Sequence, residues 1–140
     1  MYSLSTEQSF DAAHFLSGYV GKCKNIHGHR WRVVVEVQTE ALKEDTQQRG
    51  MCVDFSVLKK DLKEEVEKFD HVFVIEKGSL KESTVNALKE EGFRLLELDF
   101  RPTAENLAKY FYEKMKNRNY AVAFVKVYET PKNCAAYRGN

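Results

Sequence analysis

From Trp31 to Gln38 the chain alternates, with Trp31, Val33, Val35 and Val37 on one side and Arg32, Val34, Glu36 and Gln38 on the other. A period of two is the signature of a strand, and one continuous apolar side marks a half-buried strand of an antiparallel sheet. The run, read as residues 29–40, follows directly on His27-Gly28-His29. Residues two apart on a strand project to the same face, so His27 and His29 point together. Gly28 leaves the backbone between them uncrowded. An earlier strand-like run, Tyr2 to Ala13, ends at His14. Pairing the two runs as a hairpin brings His14 beside His27 and His29. Three neutral imidazoles meeting at one point make a zinc site with an open fourth position, the catalytic rather than the structural pattern. One such histidine alone is ordinarily solvated or hydrogen-bonded. Here three of the four histidines in the chain fall in one hairpin, and that concentration favours a metal.

Cys23 lies four residues ahead of His27. A nearby cation favours the thiolate, so Cys23 is a candidate general base or nucleophile beside the metal. The alternatives are an inert buried thiol or a fourth, structural zinc ligand. Cys52, between Met51 and Val53, reads as a buried small hydrophobe, and Cys134 falls in a C-terminal loop with no assigned role. Three cysteines at irregular spacing do not form a disulfide framework.

With 140 residues, 43% of them hydrophobic and 31% charged, the chain suits a single domain, 1–140, with its own core. A net charge of +1 gives no electrostatic argument for nucleic acid or a membrane surface. No apolar run approaches a membrane span and the N-terminal run is too polar for a signal peptide, so a cytoplasmic protein is expected. No dinucleotide-binding glycine fingerprint is present.

Asp54 reads as the N-cap of a helix with Phe55, Leu58, Leu62, Val66 and Phe69 on one stripe. Val72 to Ile75 reads as a strand fragment, Leu80 to Glu90 as a short charged helix closed by Gly92, and Phe93 to Phe100 as extended. Thr103 caps a second main helix with Leu107, Tyr110, Phe111 and Met115 on its stripe. A last strand, Tyr120 to Glu129, carries Ala121, Ala123, Val125 and Val127 on one face and stops at Pro131. The order predicts an α+β domain: an antiparallel four-stranded sheet with two main helices on one face. Its open edges favour oligomerisation.

Other polar groups read two ways. Asp70-His71 suits a carboxylate-oriented proton shuttle, or a helix C-terminus where a histidine meets the dipole. Adjacent side chains rarely bond each other, so each is expected to face a different partner. Glu129, at a strand end, can accept two hydrogen bonds from a purine-like or pterin-like ring, or be solvated. Glu105 in the first turn after Thr103 complements the helix dipole. Arg30 and Arg32, and Lys22 and Lys24, suit either an anionic ligand or a solvated face.

Phe10-Asp-Ala-Ala-His14, Cys23-Lys-Asn-Ile-His27-Gly-His29, Asp70-His71, Pro102-Thr-Ala-Glu-Asn106, Tyr128-Glu-Thr130 and Cys134-Ala-Ala-Tyr-Arg-Gly139 occur in one order. That set resembles the 6-pyruvoyl-tetrahydropterin synthase family, most closely its bacterial 6-carboxytetrahydropterin branch of the queuosine pathway. The resemblance implies a tunnelling fold (T-fold) and a homohexamer of two stacked trimers with active sites between subunits. It implies zinc (Zn2+) on His14, His27 and His29, Cys23 as proton acceptor, and Asp70 and His71 as its relay. Glu129 would anchor the pterin and join the proton network, with Thr103 and Glu105 in or near the pocket. The implied substrate is 7,8-dihydroneopterin triphosphate, converted to 6-carboxytetrahydropterin with loss of acetaldehyde and triphosphate. Alternatives are a 6-pyruvoyltetrahydropterin synthase that stops before carbon–carbon cleavage, another zinc lyase or hydrolase, and a non-catalytic zinc-stabilised module. The chain departs from the family pattern in a longer 76–98 segment and in Arg101, which stands where asparagine is usual and could meet an anionic substrate.

Overall fold

A long hairpin organises the chain in a computed structural model that describes residues 1–140. Strand β1 (Tyr2–His14) pairs antiparallel with β2 (His27–Thr39), which starts two residues before the predicted boundary. The register sets Phe10 opposite Trp31, Ala12 opposite His29 and His14 opposite His27. Period-two alternation puts Phe10, Trp31, Val33, Val35 and Val37 on one face, each at most 2% exposed.

Six strands form the sheet. In chain order the others are β3 (Val72–Glu76), β4 (Leu95–Leu98), β5 (Val122–Thr130) and β6 (Asn133–Tyr137), arranged β4-β3-β1-β2-β5-β6. This corrects the expected four-stranded antiparallel sheet, because β3 runs parallel to β1 and β4 parallel to β3. Parallel neighbours need a crossover, supplied here by a short helix, Glu82–Glu90 (α2 in chain order). The 76–98 segment therefore supplies α2 and β4 of a strand–helix–strand unit with β3, in which Ile75 and Val85 form a small cluster with Phe15. Pro131 does not end the sheet: the chain turns at Pro131 and Lys132 and returns as β6, which places Cys134 on a strand rather than in a loop.

The predicted apolar face of β5 is partly corrected. A bulge at Glu36 and Val37 pairs Val37 with Val122, so Val122 joins Val125 and Val127 in the core, while Ala121 is exposed. One extra residue shifts every side chain beyond it to the opposite face.

Helices α1 (Phe55–Val66) and α3 (Ala104–Asn117) contribute to the same core as that face of the sheet. Their caps are as expected. Asp54 accepts from the Ser56 backbone N–H at 2.8 Å, and Thr103 from that of Asn106 at 3.2 Å. Leu58, Leu62, Val66 and Phe69 bury against Leu107, Ala108, Phe111 and Met115, Phe69 standing on a 3-10 turn that extends α1. Phe55 leaves the stripe and is exposed, beside a surface groove with Tyr2, Leu42 and Met51. Tyr110 and Cys52 are half-buried at the core margin.

Phe111 is fully buried and its ring meets those of Phe10 and Phe69 at 6.2 and 5.1 Å. Phe111→Ala is expected to cost about 3–5 kcal/mol of folding stability. Urea unfolding measures it, and a loss below about 1 kcal/mol contradicts this account of the core.

Candidate metal centre

The apolar faces of β1 and β2 end in histidine. His14 continues the Phe10–Ala12 face and sits directly opposite His27, while His29 continues the Trp31–Val33 face. The three ring centroids lie 4.5 Å (His14–His27), 5.2 Å (His14–His29) and 4.9 Å (His27–His29) apart. Trp31 forms the floor. Its ring stands edge-on to His14 at 4.9 Å and to His29 at 5.4 Å, and its indole N–H donates to the Ala12 carbonyl at 3.3 Å.

Two backbone carbonyls fix the imidazoles. His14 Nδ1 lies 2.8 Å from the Pro102 oxygen, and His27 Nδ1 lies 2.7 Å from the Asn25 oxygen. A carbonyl only accepts, so each Nδ1 carries the proton and each Nε2 keeps its lone pair. Nε2 of His14, His27 and His29 are all buried without a hydrogen-bond partner. A buried polar atom left alone is costly and rare, and here three are orphaned together. Glu129 extends the Val125–Val127 face to the same place, its Oε1 being 2.9 Å from His29 Nε2 and 3.6 Å from His14 Nε2. The shorter contact is close but out of line for a hydrogen bond. One ligand atom from each of these four residues falls within 4.8 Å of the others. Two imidazoles aimed by carbonyls, a third beside them with its Nε2 unpartnered, and a carboxylate are a donor set that fits a divalent ion such as zinc.

Burial holds the His14 pKa below its ordinary 6.5, outweighing the Pro102 carbonyl, which favours protonation. Burial also lowers that of His29, against the charge of Glu129. With folded values depressed, the unfolded chain takes up protons near pH 6.5 while the folded metal-free protein does not. Metal-free stability is therefore expected to be insensitive to these groups above pH 6.5 and to fall as pH drops below it. Urea midpoints at about pH 7.5 and 5.5 test this, and an equal or higher midpoint at the lower pH contradicts it.

Cys23 lies in a 3-10 turn, Lys22–Lys24, and is half-buried. Its carbonyl accepts from the Leu16 N–H at 2.9 Å, tying this loop to the end of β1. The thiol is outside the four-residue cluster, which argues against a fourth structural ligand. Asp70 and His71 form a separate group with Asp11. Asp70 Oδ1 accepts from the Asp11 N–H at 2.9 Å, and the His71 N–H donates to the Asp11 carbonyl at 2.6 Å. That Asp11 N–H bond is the largest cause of a lowered Asp70 pKa.

The expectation that Asp70 and His71 face different partners is corrected: His71 Nδ1 is 3.1 Å from Asp70 Oδ2. The reason is backbone geometry, since His71 adopts φ +55° and the chain folds back on itself there. The His71 side chain is 74% exposed. A single chain thus does not bring this pair into the histidine cluster. Thr103 serves as helix cap, Glu105 is exposed in the first turn, and Arg101 donates to the Ser17 carbonyl at 3.3 Å. Sequence reasoning assigned no role to Asp11, although it stands inside the quoted Phe10–His14 motif, nor to the Pro102 carbonyl, which no residue type announces.

The chain is 31% identical to a 6-carboxy-5,6,7,8-tetrahydropterin synthase of Haemophilus influenzae, with 99% of each chain covered. It is 35% identical to one of Rickettsia bellii, over 89% of this chain and 91% of that one. Among solved structures, a 6-pyruvoyl tetrahydropterin synthase of Caenorhabditis elegans superposes with TM-score 0.69 at 26% identity, covering 99% and 96%. An uncharacterized Wolinella succinogenes protein shares the fold with TM-score 0.81 at 20% identity, covering 99% and 98%. The α+β architecture is that of the tunnelling fold. The sequence profile described as 6-pyruvoyl tetrahydropterin synthase matches residues 3–140, and the chain belongs to that family.

Proposed function

We propose that this chain is a zinc-dependent 6-carboxytetrahydropterin synthase. It takes 7,8-dihydroneopterin triphosphate and water to 6-carboxy-5,6,7,8-tetrahydropterin, acetaldehyde and triphosphate, a step toward queuosine. The observation that carries the reading is the trio of buried, unpartnered Nε2 atoms on His14, His27 and His29, together with the names of the bacterial relatives. These three residues would hold the ion. Bound there, zinc supplies Lewis-acid polarisation of a substrate hydroxyl.

Each of the chain's own groups has one task. Cys23 accepts a proton from the substrate side chain; its loop is tied to the end of β1 while its thiol stays outside the cluster, which supports this role. Asp70 orients the His71 ring through the 3.1 Å contact, and His71 passes protons onward. Glu129 receives the amino and ring N–H groups of the pterin and continues the proton network. Thr103 and Glu105 take places in or near the pterin pocket; they open α3 directly after Pro102, whose carbonyl meets His14, and this supports the assignment. Because Asp70 and His71 stand in a cluster of their own, with the His71 ring exposed, they suit service to the metal centre of a neighbouring copy. A homohexamer of two trimers with shared active sites satisfies that need and pairs the open strands β4 and β6.

The family profile, spanning residues 3–140, supports one domain. A cytoplasmic location fits three free cysteines. No helix is long and apolar enough to cross a membrane.

The test is incubation of zinc-loaded protein with 7,8-dihydroneopterin triphosphate and mass spectrometry of the products. Acetaldehyde and the 6-carboxy product are expected. A 6-pyruvoyl product without acetaldehyde identifies the rival synthase, and absence of turnover contradicts both.

A further inference from the structure

The sheet face opposite the main core carries a polar groove next to the histidine cluster. Ser9 on β1, Arg30 and Arg32 on β2, and Tyr128 and Thr130 on β5 line a cavity of ≈470 Å3 that also reaches His29 and Glu129. Two arginines dominate its charge, and each is already oriented. The Arg32 guanidinium lies 3.8 Å from the centre of the Tyr128 ring and donates Nη1 to Glu7 at 3.1 Å. Arg30 donates Nη1 to Asp11 at 2.9 Å. Neither Glu7 nor Asp11 lines this cavity. The one carboxylate that does, Glu129, sits against the histidine rings.

Exposed ion pairs of this kind add little to stability, so folding alone does not account for the arrangement. A guanidinium has five N–H donors in a planar fork, and each of these arginines gives one of them to its carboxylate. Stacking and the ion pair restrict the rotamers of Arg32, and the remaining donors suit bidentate contact with phosphate oxygens. The cavity is also lined by His29 and Glu129, the residues at the cluster end of β2 and β5.

We propose that this groove is an oligophosphate subsite, in which Arg30 and Arg32 hold the triphosphate tail of the substrate beside the histidine cluster. The inference rests on the proposed reaction. Elimination breaks the carbon–oxygen bond to the tail and leaves the electron pair on the departing phosphate oxygen, where guanidinium N–H groups can meet the charge. Binding energy from the outer phosphates, which take no part in the bond cleavage, also positions the reacting end.

The experiment is calorimetric titration of the zinc-loaded protein with inorganic tripolyphosphate, in wild type, Arg30→Met, Arg32→Met and the double variant. Each single change is expected to weaken binding roughly tenfold, and binding should weaken with added salt. Tripolyphosphate also chelates zinc, so the signal retained by the double variant is assigned to the metal and the difference reads the arginines. KM for the triphosphate substrate should rise with the same variants, while zinc content and affinity for unphosphorylated dihydroneopterin stay unchanged. Equal tripolyphosphate binding in all four proteins overturns the subsite, whatever the activity. Arginine-dependent binding in a protein that does not turn over the substrate sinks the proposed reaction instead and leaves the subsite standing.

Discussion

His27→Ala yields a folded protein that no longer retains zinc through gel filtration and has no detectable synthase turnover. The size of the effect follows from the site. His27 Nδ1 is fixed by the Asn25 carbonyl and its Nε2 is buried with no other partner, so the ring has no evident structural task apart from the metal. Loss of an outer partner that merely orients a ligand costs about 10–100-fold in metal affinity. Loss of the ligand itself must exceed that. The fold is expected to survive, because β1 and β2 pair along thirteen residues each and His27 stands at the far end of that ladder. Metal analysis and circular dichroism separate the two effects. Full zinc occupancy and full activity in His27→Ala would contradict the metal assignment.

Cys23→Ala is expected to keep its zinc and lose turnover by about 10²–10⁴-fold, the range for removing a positioned general base. Binding of the pterin should change little, so the loss falls on kcat rather than KM. The reason is the separation of tasks: three imidazoles and Glu129 form the cluster, and the half-buried thiol stands outside it. Zinc loss in this variant would turn Cys23 into a structural ligand. Undiminished turnover would favour a hydrolase-like reaction in which the thiol has no part.

The histidine cluster was legible because it depends on strand periodicity. Once Trp31, Val33, Val35 and Val37 define a buried face, His29 and His27 are carried to its end by the same alternation, and only the hairpin register remains to place His14. Helix caps at Asp54 and Thr103 were legible for a similar reason: the bond is local, spanning two and three residues. The β-bulge at Glu36 and Val37 was not, because it belongs to the pairing of two strands rather than to either one. Strand β4 was read only as part of an extended stretch, Phe93 to Phe100, and β6 not at all, for want of length and pattern. Leu95-Leu-Glu-Leu98 is too short to show alternation, and Asn133-Cys-Ala-Ala-Tyr137 is poor in strand-favouring residues.

Some of the site lies beyond residue identity altogether. The Pro102 and Asn25 carbonyls that set the histidine tautomers are backbone atoms. The Asp70–His71 contact arises from one left-handed residue, at a position no glycine marks. Asp11 contributes through its main chain, receiving His71 and donating to Asp70. Its side chain is turned to Arg30.

Zinc-edge X-ray absorption of the purified, zinc-loaded protein tests the central claim most directly. Nitrogen or oxygen scatterers alone at about 2.0–2.1 Å, with the signature of three imidazoles, are predicted. A sulfur scatterer near 2.3 Å, or fewer than three imidazoles, would contradict it.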